Sequence, residues 1–101
     1  MKNGTKFALL CLVQEGSKPF KFEWRFNQNK LLSSDSDHQI DIADEQSLFL
    51  IPKLNPHHSG TYSCIVRNNY GVDQQSTRLI VTGLNFKYHS ICGAYLVIQN
   101  I

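Results

Sequence analysis

Three cysteines (Cys11, Cys64 and Cys92), four histidines (His38, His57, His58 and His89) and one tryptophan (Trp24) are the side chains of this 101-residue chain whose types could support chemistry. Thiols can pair, ligate a metal or act as nucleophiles, and imidazoles can ligate a metal or move protons. Spacing removes most of these options. Only His57 and His58 are close together, and adjacent side chains on an extended strand point to opposite faces, so no metal site is expected. No arrangement of serine, histidine and acid resembles a nucleophile elbow, and no glycine-rich loop could cradle a phosphate. An enzyme, a cofactor and a small-molecule substrate are therefore not expected. One pattern remains: Trp24 follows Cys11 by 13 positions, Cys64 follows Cys11 by 53, and Tyr62 stands two before Cys64.

The elements that must position these residues are strands. In the segment Thr5 to Val13, the residues Phe7, Leu9, Cys11 and Val13 share one face, and Ala8, Leu10 and Leu12 share the other. Phe20, Phe22, Trp24 and Phe26 alternate with Lys21, Glu23 and Arg25, which reads as one core face and one wet face. Asn27 to Asp37 is a loop or short edge strand, Ile40 and Ile42 alternate with Gln39 and Asp41, and Ser47 to Ile51 is apolar up to Pro52. Turn residues from Asn55 to Gly60 precede the alternating run Thr61 to Val66. Asn68 to Gly71 reads as a hairpin turn, and the next strand runs from about Ser76 to Val81. No stretch keeps helical periodicity. About seven short strands with turn signals every 8 to 12 residues predict an all-β, two-sheet sandwich.

Composition sets further limits. With 42% hydrophobic and 18% charged residues, the chain makes one small domain, for which a crosslink would help the modest core. Ten basic and eight acidic side chains leave a net charge of +2, too balanced for a phosphate-driven affinity, so nucleic acid is not an expected partner. No apolar run reaches the roughly 18 to 20 residues of a membrane-spanning helix. Met1 to Thr5 is too short and polar for a signal peptide. Membrane attachment is expected only through missing parts of a parent chain.

Cys11, Trp24, Tyr62 and Cys64, with the run Leu54 to Cys64 followed by Val66, Asn68 and Gly71, resemble an immunoglobulin domain of the I-set type over Gly4 to about Thr82. Pro19 to Trp24, Asn27 to Leu31, Ser47 to Pro52 and His58 to Cys64 further resemble domains of the Down syndrome cell adhesion molecule family. That resemblance implies a Cys11–Cys64 disulfide across the sandwich, Trp24 filling the volume beside it, and Tyr62 pinning the corner before the second cysteine. It also implies an extracellular or plasma-membrane setting within a parent receptor, and cell adhesion by homophilic binding, with the same or a related cell-surface protein as partner, in axon guidance, self-avoidance or immune recognition. The alternative is an intracellular structural domain of a giant muscle protein, with its cysteines reduced. By family register Leu48 and Leu50 point outward beside Leu10 and Leu12. These four are the expected binding patch, through which two copies would associate, unless the tail covers it.

The resemblance is incomplete. Many I-set domains carry an acid just before Ser-Gly that pairs with an arginine at the start of strand D; His58 stands there instead, so no such ion pair is expected. The leading strand that would cover one edge is missing. The immunoglobulin-like domain is assigned to residues 1–83. Residues 84–101 match nothing in the family, and although Ala94 to Ile98 could add a strand to the open edge, the extension is expected to have no structural role. Cys92, left over, would be a free thiol or an intermolecular crosslinker. Asn3-Gly4-Thr5 is a glycosylation sequon, of use only in a secreted chain.

Overall fold

A computed structural model describes residues 6–32, 37–81 and 92–99 of the chain. Alternation of large apolar and polar residues produces two four-stranded sheets that close over one core. In the first, β1 (Phe7–Val13) lies between β5 (Gln46–Ile51) and β8 (Cys92–Ile98), and β4 (Gln39–Ile42) borders β5. In the second, β2 (Lys21–Phe26) lies between β3 (Asn29–Lys30) and β6 (Gly60–Arg67), and β7 (Val72–Leu79) borders β6. Among the described residues a single 3-10 turn, Pro56–His58, interrupts the strands.

Register places the core-facing residues opposite one another. Leu9 pairs with Phe49 and Cys11 with Ser47 across β1 and β5, while Trp24 pairs with Cys64 across β2 and β6. Asn27 and Gln28, both at positive φ (49° and 73°), form the two-residue turn from β2 to β3, the backbone that matches the twist of a hairpin. Asparagine tolerates that conformation, and the Asn27 side chain also accepts the Thr61 N–H at 2.9 Å, tying the turn to β6. After β6, the Asn68 carboxamide oxygen accepts the N–H groups of Tyr70 and Gly71, which closes the hairpin to β7.

The core is built on rings. Trp24, Phe49 and Tyr62 are almost wholly buried, with centroids 5.5 Å apart for Trp24–Phe49 and 5.3 Å for Phe49–Tyr62. Beside them the Cys11–Cys64 disulfide joins the sheets, with Cα atoms 6.4 Å apart. The indole N–H of Trp24 donates to Ser47 Oγ at 2.9 Å, and that hydroxyl donates to the Asp41 carbonyl at 3.0 Å. One buried serine thus satisfies the only polar group of the tryptophan. Ser47→Ala leaves the buried indole N–H of Trp24 without its partner, and its expected cost is about 1–3 kcal/mol of unfolding free energy. Urea denaturation checks this, and a loss below about 0.5 kcal/mol, the range of an ordinary surface substitution, would contradict it.

The extension does not behave as expected from sequence. Residues 92–98 form β8, which runs parallel to β1 from Phe7↔Cys92 to Val13↔Ile98, and the Gln14 N–H donates to the Ile98 carbonyl at 2.8 Å. Leu96 and Ile98 enter the core at 6% and 0% exposure. The edge of β1 is therefore covered by a strand from the other end of the chain, and an outline of the sandwich that stops at residue 83 omits part of its first sheet. An uncovered row of N–H and C=O groups beside a buried face is unfavourable, which is the physical reason for an apolar, strand-forming tail to settle there.

Candidate functional site

Strand pairing brings the four outward leucines together. Leu10 lies opposite Leu48 on one side and Tyr95 on the other; Ala8 lies opposite Leu50; Leu12 lies opposite Val97. Leu10, Leu12, Leu48 and Leu50 are each half-buried, and Tyr95 is 72% exposed. A β-sheet face that looks to solvent is normally polar at alternate positions. Here three adjacent strands present apolar side chains instead, and polar residues appear only at the margins, with Gln39 and Asp41 on β4 and Gln46 on β5. Tyr95 and Val97 were not among the residues expected in this patch, because their strand has no local turn to its partner and β1 lies more than 80 residues upstream. The only sequence signal was the apolar run itself.

A second concentration of polar chemistry sits at the corner before β6. Asn55 caps the 3-10 turn: its side-chain oxygen accepts the His57 N–H at 2.9 Å, and its own N–H donates to His58 Nδ1 at 3.0 Å. The Tyr62 hydroxyl donates to the His58 carbonyl at 2.7 Å, and burial, helped by the Asp37 charge, pushes the Tyr62 phenol above its ordinary value. Asp37, two residues before β4, reaches both histidines: Oδ1 lies 3.1 Å from His38 Nδ1 and Oδ2 lies 3.4 Å from His58 Nε2. Burial works against the Asp37 charge, and the contacts with His58 and His38 outweigh it, holding the carboxyl below the usual aspartate value. In place of the family's acid–arginine pair the corner holds a carboxylate–imidazole contact, which is an ion pair only when His58 is protonated. The acid now stands at the start of the strand and the basic side chain at the corner, a pair of reversed polarity. His57 and His58 lie on a helical turn rather than a strand, and no cluster of three or more potential ligands suited to a metal occurs among the described residues.

Other features add less. A polar depression of about 550 Å³ over the second sheet is lined by Arg25, Gln28, Thr61, Ser63, Gln74 and Ser76, with no buried titratable group in it. Asn3 and His89 lie outside the described residues, and of Cys92 only its backbone place opposite Phe7 is described.

Two sheets bridged by one disulfide, a tryptophan packed beside it, and a tyrosine that pins the corner two residues before the second cysteine define an immunoglobulin-type sandwich. A family model described as an immunoglobulin domain matches residues 1–68, and the chain belongs to that family. Chicken (Gallus gallus) protein sidekick-1 is 34% identical over 68 residues, which is 67% of this chain and 3% of that protein. The chain thus spans only a few per cent of the curated relatives it matches. Among solved structures, the Dscam1 Ig7 domain, isoform 5, superposes with a TM-score of 0.77 at 23% identity, covering 81% of this chain and 84% of that one. The titin I-band fragment I67–I69 superposes at 0.70 with 18% identity, covering 79% of this chain and 28% of that one. No helix among the described residues is long and apolar enough to cross a membrane.

Proposed function

We propose that this domain is a non-catalytic recognition module of a cell-surface protein that binds a second copy of itself or a closely related chain through the outer face of β1, β5 and β8. The carrying observation is the contiguous apolar face of Leu10, Leu12, Leu48 and Leu50, extended by Tyr95. Such a face matches itself across a two-fold axis, whereas a partner chosen by charge would need a charged surface. The resemblance to the Down syndrome cell adhesion molecule family supports a homophilic adhesion role, and the disulfide supports an extracellular setting, because bridges persist in oxidising compartments. Membrane attachment belongs to further parts of a parent receptor. Sedimentation equilibrium tests the reading. The double variant Leu10→Asp, Leu50→Asp is expected to weaken self-association tenfold or more, about 1.4 kcal/mol. Unchanged association, or a wild-type chain that stays monomeric at millimolar concentration, sinks the self-binding reading.

A further inference from the structure

His58 occupies a position that constrains the proton on its ring. A neutral imidazole has one donor and one acceptor nitrogen. Nδ1 accepts the Asn55 N–H at 3.0 Å, so the proton of the neutral ring must be on Nε2, which faces Asp37 Oδ2 at 3.4 Å. The neutral ring therefore does two jobs. Its Nδ1 takes the part that a glutamate or glutamine side chain plays in an ordinary capping box, closing the turn Pro56–His58 onto Asn55, and its Nε2–H points at a carboxylate. Adding a proton puts an N–H on Nδ1 against the N–H of Asn55, so the cap loses its acceptor, while the contact with Asp37 becomes an ion pair. The two effects oppose each other, and both are of modest size at this partly exposed place, so the outcome is a change of partner at the corner rather than loss of the fold.

We propose that His58 is a proton-operated latch: neutral, it closes the turn before β6 onto Asn55; protonated, it releases Asn55 and holds Asp37 alone. The groups that face it are named readily. Asp37 approaches from the segment before β4 and carries His38 on its other oxygen; His57 adjoins it on the same turn; the Tyr62 hydroxyl of β6 is bonded to its carbonyl. Because Tyr62 hangs on that carbonyl and also packs on Phe49 and Phe26, a shift of the turn is felt where β6 begins. The latch uses none of the residues of the apolar face and does not rest on the self-binding reading.

Proton-detected nitrogen correlation spectra of the whole chain, recorded from about pH 8 to pH 5, test this. At the alkaline end His58 is expected as the Nε2–H tautomer. The Asn55 amide signal should shift with the same midpoint as the His58 ring, and its exchange, corrected for the intrinsic rate, should speed up about fivefold as one hydrogen bond of ordinary net strength is lost. In His58→Gln the carboxamide oxygen accepts the same bond and does not titrate, so the turn stays closed and the Asn55 amide should be flat with pH. A ring protonated on Nδ1 at pH 8, or an Asn55 amide that ignores the His58 titration, overturns the latch. So does an unchanged pH response in His58→Gln, which would place its origin at His57 or His38.

Discussion

Replacing Cys11 and Cys64 together by alanine is expected to lower the unfolding free energy by about 4 kcal/mol, because the bridge closes a loop of 53 residues in the unfolded chain. For a domain of this length that amounts to a melting temperature lower by roughly 15–30 °C. Such a loss is comparable with the whole stability of many small domains, so an unbridged protein is expected to be partly unfolded at 37 °C. The site also contributes native-state terms. Both half-cystines are wholly buried against Trp24, so smaller side chains leave space that this core of interlocked rings cannot easily close. Calorimetry of the wild type and the double variant checks the magnitude, and a difference below about 1 kcal/mol would mean that the bridge is dispensable. A thiol count on unreduced protein taken from its native source completes the test. One free thiol fits the extracellular setting, whereas three would fit the reduced interior of a muscle filament.

Much of the sandwich was legible because its central strands carry their own evidence. Phe22, Trp24 and Phe26 alternate with Lys21, Glu23 and Arg25, a run that admits one inward register only, so a slip by one residue would bury the wrong set, whereas β1 is apolar on both faces and β6 is buried from Tyr62 to Val66. Edge positions were harder. Ile42 continues the alternation of β4 and yet is 61% exposed, on a strand that lies at the outer edge of its sheet. The corner was half legible: the turn and the tyrosine follow from local spacing, but the partner of His58 is an acid 21 residues earlier, and side chains that meet across two loops leave no periodic trace. His57 and His58 were read as strand neighbours pointing apart, when the capped turn at Asn55 changes the geometry that the argument assumed. Least legible was β8. A parallel strand needs no turn and no alternation of its own to find its place; it needs a vacant edge and two or three apolar residues at the right spacing, and both lie outside any local window.

The second large effect tests that strand directly. Ile98 is completely buried at the end of β8, opposite Val13, and the core cluster it joins among the described residues is apolar, with no basic side chain to receive a charge. Ile98→Asp is expected to cost about 4 kcal/mol or more, since an aspartate must either stay charged in the core or take up a proton to enter it. Ile98→Ala, which only removes methyl groups and leaves a gap, is expected at about 2–5 kcal/mol. Tyr95→Ser, three residues earlier and on the opposite face, should change the stability of the isolated chain by no more than about 0.5 kcal/mol. The contrast carries the test: if the segment were a passive extension, all three substitutions would be silent, and if it were paired one residue out of register, Tyr95→Ser would be the costly one. Because Tyr95 belongs to the apolar face, the same variant should weaken self-association while the fold stays intact. Stability and recognition would then separate along a single strand, with even-numbered residues holding the core and odd-numbered residues meeting the partner.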